Sequence, residues 1–214
     1  MLALVLAFVA AVILSESEPE VVNTAALACY EKVVAITFDD GPGYKTTMAL
    51  LDGLRERDVR ATFFLVGEKI EQRKCVIEQM AKDGHLIGNH TYSHAQLDSV
   101  NADTVYSEIE KTNQLIREVA GVEPKYLRPP YGIWTNSLEN SIAMTPILWT
   151  VDSCDWNTKD VAQIVESVVS EVESGDIILM HDIYDTSVVA ALEIIDQLKS
   201  KGFVFVTVDE LMIE

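Results

Sequence analysis

Apolar and polar positions alternate along this chain in blocks that switch between the period of a strand and the period of a helix. Val33-Val34-Ala35-Ile36 is a short β-branched run of the kind that forms a buried strand, and it ends at two aspartates, Asp39 and Asp40. Gly41-Pro42-Gly43 supplies turn chemistry, after which Thr46 is placed to cap a helix through Leu50, Leu51 and Leu54. Ala61 to Leu65 reads as the next strand, followed by a helix from about Ile70 to Lys82 and a short strand at Leu86-Ile87. Val105, Ile109, Thr112, Ile116 and Val119 step by four and three, the stripe of an amphipathic helix that Gly121 closes. Val161, Ile164, Val165, Val168, Val169 and Val172 predict another helix, Asp176 to Met180 a strand, Val188 to Lys199 a helix and Phe203 to Val206 a last strand. Strands alternating with helices imply an α/β fold with parallel strands and crossover helices. Spacing alone leaves a barrel and an open sheet equally open.

Two blocks fall outside that alternation. Leu2 to Leu14 is an apolar run of the length of a signal-peptide core and short for a membrane span, followed by a polar spacer from Glu16 to Thr24. No lysine or arginine precedes it, so an uncleaved anchor or an extra buried helix stand beside secretion as readings. The other is the apolar stretch Ile147-Leu148-Trp149, which leads into a polar string at Asp152.

A chain of 214 residues with 49% apolar content can bury one core and has no room for a second substantial domain. The formal net charge of −18 argues against nucleic acid and anionic membrane surfaces as partners. A substrate that is neutral or cationic near its reacting bond suits that charge. Three cysteines, Cys29, Cys75 and Cys154, allow at most one internal disulfide and so do not build the fold. Cys154 has no base assigned to it and reads as a small, semi-buried filler rather than a nucleophile.

The chemistry lies in separated strings. Adjacent carboxylates straight after a buried strand need a cation or a shared proton, because like charges held close repel. His90 and His94, four residues apart, point the same way if they lie on a helical turn, and with Asp40 they make a three-donor site for a divalent ion with positions left open. The glutamate of a His-Glu-x-x-His site is missing, so the base must come from elsewhere, and Asp39 is the candidate. Arg128-Pro129-Pro130-Tyr131-Gly132, Asp152-Ser153-Cys154-Asp155-Trp156 and Leu179-Met180-His181 complete the set.

In these strings, present in order from about residue 32 to 212, the chain resembles the polysaccharide deacetylases of the NodB-homology class, carbohydrate esterase family 4, and most of all the peptidoglycan N-acetylglucosamine deacetylases among them. The resemblance implies a distorted, incomplete (β/α) barrel spanning residues 32–214, with residues 1–31 as signal peptide or anchor plus spacer. It implies Asp40, His90 and His94 as ligands of one divalent metal, with zinc the first choice and cobalt or nickel as others. It also implies Asp39 as general base oriented by Arg128, and His181 as general acid with its pKa raised by Asp155. The backbone N–H of Tyr131 is expected to hold the oxyanion, and Pro130, Trp156 and Leu179 to contact the substrate and its acetyl methyl group. Asp152 is a supporting candidate that equally well only bonds its own loop.

The expected activity is removal of the N-acetyl group from N-acetylglucosamine units of peptidoglycan or chitin-type glycans, outside or at the surface of the cell, by a monomer. The alternatives are an esterase that removes O-acetyl groups from xylan and a silent glycan-binding member.

Overall fold

The computed structural model describes residues 32–212. The run Val33 to Ile36 forms the first strand, but the strand does not stop before the aspartates. It continues to Gly41 and carries both of them.

In chain order the elements are β1 (Val33–Gly41), α1 (Lys45–Glu56), β2 (Thr62–Leu65), α2 (Gly67–Ile70), α3 (Lys74–Lys82), β3 (Leu86–Asn89), α4 (Ala102–Ala120) and β4 (Tyr126–Leu127). They continue with α5 (Asn136–Ser141), β5 (Thr145–Pro146), β6 (Val151–Asp152), α6 (Val161–Val169), β7 (Ile177–His181), α7 (Asp185–Ser200), β8 (Val204–Phe205) and α8 (Val208–Leu211). The strands lie in the order β5-β4-β3-β2-β1-β7-β6, and β8 pairs with the first residues of β1. Every pairing is parallel. The sheet curls into a half-barrel whose ladder ends at β5 on one side and β6 on the other, as the family resemblance implied.

Strand alternation sorts β1 into two faces. Val34, Ile36 and Phe38 are fully buried against the helices, with Leu50, Leu51 and Leu54 of α1, Ile77 and Met80 of α3, Val168 of α6 and Ile194 and Leu198 of α7. Burying each such side chain contributes about 1.5–3 kcal/mol. Ala35, Thr37 and Asp39 alternate to the barrel interior, where Ala35 meets Phe64, Ile147 and Val208. The outer face thus supplies the core, and the inner face is free to carry polar chemistry toward the C-terminal ends of the strands.

Several local expectations need correction. Thr46 is not a cap: Tyr44 holds that position without a side-chain bond, and Thr46 lies inside the first turn of α1. The helix expected from Ile70 to Lys82 is interrupted by a 3-10 turn at Glu71–Arg73. The helix expected to run to Val172 stops at Val169. The α4 stripe is as expected, with Asn101 accepting from the Thr104 N–H at one end and Gly121 in the left-handed conformation at the other. Cys154 is exposed rather than a semi-buried filler, and Cys75 is exposed too. The apolar run Leu2 to Leu14, its spacer and Cys29 lie outside the described residues. Among the described residues no helix is long and apolar enough to cross a membrane.

Candidate active site

Neighbouring residues on a regular strand point to opposite faces, so Asp39 and Asp40 should diverge. They do not, because the register of β1 against β2 slips between Phe38 and Gly41 and Asp40 takes a left-handed φ of 68°. Aspartate tolerates that region better than most residues, and such an irregularity at a strand end re-aims a side chain. Both carboxylates therefore reach one imidazole: His90 Nε2 lies 3.8 Å from Asp39 Oδ2 and 3.5 Å from Asp40 Oδ1.

His90 and His94 are brought together by a loop, not by the helical turn expected. Residues 90–94 form an irregular crossing after β3, with positive φ at Thr91 and His94. Helix α4 clamps this loop with polar groups set beside its apolar stripe. Glu108 accepts the N–H groups of Tyr92 and Ser93 at 2.9 and 2.8 Å and the Ser93 hydroxyl at 2.9 Å. The buried Asn89 accepts from Thr91 N–H at 2.7 Å and donates to Asn113 Oδ1 at 2.8 Å. The rings of His90 and His94 meet edge to face at 4.9 Å, and His94 meets Tyr131 in the same way at 4.8 Å.

The three side chains named for a metal, Asp40, His90 and His94, offer donor atoms that all lie within 4.8 Å of one another. His90 Nδ1 is 2.7 Å from the Arg128 carbonyl oxygen. A carbonyl only accepts, so Nδ1 carries a hydrogen, and in the neutral ring the lone pair of Nε2 faces Asp40. Burial pushes the Asp40 carboxyl up, but contact with His90 and the charges of His90, His94 and His181 hold it well below the usual carboxylate range. Burial, reinforced by His90, lowers the pKa of His94 and favours its neutral, ligating form. Asp40 Oδ1 is buried without a hydrogen-bond partner among the described residues. An orphaned carboxylate oxygen flanked by two imidazole nitrogens fits a divalent cation.

Asp39 is buried, with 3% of its surface exposed, and held by Arg128, itself fully buried. One guanidinium nitrogen donates to Asp39 Oδ1 at 2.9 Å and to Thr37 Oγ1 at 2.6 Å. The other two donate to the carbonyls of Ile147 and Leu148, each at 3.1 Å, and the guanidinium stacks 4.3 Å from the centre of the Phe64 ring. A planar fork satisfied at each nitrogen leaves little freedom, so Asp39 is fixed through Oδ1 and keeps Oδ2 for chemistry.

The register between β1 and β7 pairs Asp39 with His181. Paired residues of parallel strands share a face and stand about 5 Å apart, which sets a base candidate and an acid candidate side by side. His181 Nδ1 lies 2.7 Å from Asp155 Oδ1, and the His181 N–H donates to Asp155 Oδ2 at 2.8 Å. Burial alone would lower the His181 pKa, but the hydrogen bond and charge of the fully buried Asp155, with lesser help from Asp39 and Asp40, raise it to about 9.

The remaining candidates divide. Leu179 is buried two residues before His181 on the same strand face. Pro130 is buried, while Tyr131 takes a positive φ of 64° and exposes its ring. Trp156 is 56% exposed and stands as an open surface ring. Asp152 accepts from Cys154 N–H at 2.8 Å and so bonds its own loop. Burial and the charges of Asp152 and Asp155 raise the Cys154 pKa, which opposes a thiolate. The supporting contacts of Glu108, Asn89, Asn113 and Thr37 are not legible in the sequence. Asn113, polar beside the stripe of Val105, Ile109, Thr112 and Ile116, is the one visible signal of them.

The sequence profile described as polysaccharide deacetylase matches residues 28–147. A Bacillus cereus protein named peptidoglycan-N-acetylglucosamine deacetylase is 40% identical over 188 residues, covering 83% of this chain and 67% of that protein. The Listeria monocytogenes peptidoglycan-N-acetylglucosamine deacetylase PgdA is 36% identical over 180 residues, 84% of this chain and 39% of PgdA, so the chain spans about two fifths of that relative. A solved family 4 acetyl xylan esterase from Clostridium thermocellum in complex with a cobalt ion superposes with a TM-score of 0.80 at 35% identity, covering 84% of this chain and 90% of that one.

Proposed function

Because the chain belongs to the polysaccharide deacetylase family, we propose that residues 32–214 form a metal-dependent deacetylase that hydrolyses the N-acetyl group of N-acetylglucosamine units in peptidoglycan or chitin-type glycan and releases acetate. The observation that carries this reading is the pairing of Asp39 with His181 on adjacent strands beside the Asp40, His90 and His94 cluster. Amide hydrolysis needs a base for water and an acid for the departing amine, and the closeness of Asp39 and His181 to that cluster supports giving them these roles.

In this reading Asp40, His90 and His94 hold one divalent ion, zinc first and cobalt or nickel as substitutes. When bound, that ion would supply Lewis acidity toward the acetyl carbonyl and water. Asp39, oriented by Arg128 through Oδ1, takes a proton from the attacking water at Oδ2. The oxygen adds to the acetyl carbon, and the Tyr131 N–H donates to the oxyanion that develops. His181, its Nδ1 engaged by Asp155, delivers a proton from Nε2 to the sugar nitrogen as the C–N bond breaks, leaving acetate and a free amine. Leu179 and Pro130 border the methyl group, Trp156 offers a ring at the rim, and Asp152 only supports the loop that carries Asp155.

An acetyl xylan esterase is the second reading, favoured by the likeness to the Clostridium thermocellum enzyme. An alkoxide leaves more readily than an amine, so an esterase has less use for the His181–Asp155 pair. Residues 1–31 are assigned as a signal peptide or anchor with spacer, placing a monomeric enzyme outside the cell or at its surface. The test is acetate release by the metal-loaded protein from N-acetylglucosamine oligomers, peptidoglycan and acetylated xylan side by side, with Asp39→Asn as control. Release from the amino sugars, lost in the control, is expected. Release from xylan alone moves the assignment to the esterase, and binding without release moves it to a silent glycan-binding protein.

A further inference from the structure

The residue after His181 takes no part in the chemistry above, yet Asp182 is fully buried. Its carboxylate lies against the backbone of Gly41, where an added Cβ would stand 2.4 Å from both of its oxygens. Only glycine allows that approach. Thr47, in the first turn of α1 and equally buried, donates its hydroxyl to Asp182 Oδ2 at 2.6 Å and accepts from the Gly43 N–H at 2.7 Å. A chain of hydrogen bonds thus runs from the turn after Asp40, through α1, to the end of β7. At one end the chain of bonds stops at Gly43, three residues after Asp40, while Gly41, bonded to Asp40, packs directly on the Asp182 carboxylate; at the other end Asp182 is covalently next to His181. Lys69 of α2 holds the opposite side by donating to the Asp40 carbonyl at 2.7 Å.

Burying a carboxyl group costs free energy unless its oxygens are bonded, and Asp182 Oδ1 has no hydrogen-bond partner among the described residues. Burial accordingly pushes the carboxyl up to about 7, against the pull of Thr47 and Lys69. A turn that needed only closing could be closed by Thr47 alone. The extra link to the strand that ends in His181 is what Asp182 adds.

We propose that the buried Thr47–Asp182 pair is a positioning device that fixes the separation between the ligand Asp40 and the proton donor His181. The proposal rests on the metal-site reading above. It makes Thr47 and Asp182 residues that act through their neighbours without touching substrate.

Thr47→Val keeps the shape and removes the hydroxyl, stranding the Gly43 N–H and Asp182 Oδ2. Gly41→Ala leaves Thr47 and Asp182 in place and forces the carboxylate away, and so serves as a second arm should Thr47→Val not fold. Zinc affinity is read by competition with a chromophoric chelator, kcat and KM on an N-acetylglucosamine oligomer, and Tm by calorimetry. The expected result for both variants is zinc binding weakened about tenfold, the lower end of what loss of an outer-shell partner costs, with kcat reduced, KM unchanged, and recovery of both in Thr47→Ser. A lowered Tm with zinc affinity and kcat of the folded protein within about twofold of wild type would reduce the pair to a stabilising contact and overturn the proposal. A wild type that binds zinc without releasing acetate refutes the deacetylase reading alone, and the affinity comparison still decides; a wild type that binds no zinc overturns both.

Discussion

Asp155→Asn isolates the electrostatic part of the proposed acid. Asparagine keeps the size of the side chain and an acceptor for the His181 Nδ1 hydrogen, but removes the charge. In the wild type, burial opposes the charged imidazole and Asp155 more than reverses it, raising His181 from the ordinary 6.5 to about 9. That span corresponds to about 3 kcal/mol of preference for the protonated form. With the charge gone, the largest raising influence is lost and His181 of the variant returns to about the ordinary 6.5. At pH 8 roughly nine-tenths of wild-type His181 is protonated against roughly 3% in the variant, about a thirtyfold loss of acid; at pH 6 the loss is under about twofold. A bound cation offsets the smaller contributions of Asp39 and Asp40 and leaves that of Asp155. The assay is the kcat profile on an N-acetylglucosamine oligomer from pH 6 to 9.5, beside the same profile on an aryl acetate, whose leaving group needs little protonation. The basic limb of amide cleavage should move down in the variant while that of ester cleavage stays. Superimposable amide profiles for the two proteins would refute the assignment of His181 and Asp155.

Arg128→Lys replaces a fork that reaches Thr37, Asp39 and two carbonyls by a single ammonium. It should lower unfolding free energy in urea by about 3 kcal/mol, the scale of a broken buried pair, and lower kcat at least about tenfold. Glu108→Ala frees two backbone N–H groups of the histidine loop, and titration should show zinc affinity reduced about tenfold with the circular dichroism of the fold retained. His85 accepts the Ala61 N–H at Nδ1 and is lowered by burial to about 4. Because the folded state binds its proton less readily than the unfolded state, the stability His85 contributes is present above pH ~6.5 and lost as pH falls through about 4. His181 has the opposite sign, and its contribution is lost as pH rises through about 9. Urea unfolding of His85→Gln should therefore be flatter with pH between 4 and 6.5 than that of wild type.

The residues of the site were legible because each sits in a short string whose chemistry has few other uses. Asp39, Asp40, His90, His94, Arg128, Asp155 and His181 all meet at one end of the half-barrel. What holds them there was not legible, because those contacts join residues far apart in sequence: Arg128 with Thr37 and Asp39, Glu108 with Tyr92 and Ser93, Thr47 with Asp182. The conformation at Asp40 was hidden as well. A reading by strand period sends adjacent aspartates apart, and only the register slip and the left-handed φ turn them together. A four-residue histidine spacing likewise implied a helix, whereas backbone clamps on an irregular loop produce the same convergence. The longer helices α1, α3, α4, α6 and α7 are legible from their apolar positions because each buries one face, whereas the short α2, α5 and α8 carry no such stripe. The very short β4, β5 and β6 carry too few residues for a period to show, and their pairing depends on neighbours.

The central claim is that Asp40, His90 and His94 hold an ion on which deacetylation depends. The direct measurement is acetate release from an N-acetylglucosamine oligomer before chelation, after removal of divalent metal, and after zinc is restored, with bound zinc quantified at each stage. The account predicts activity that disappears on stripping and returns in proportion to zinc bound, one ion per chain, and no zinc retained in His94→Ala. Undiminished acetate release from protein shown to be metal-free would contradict it.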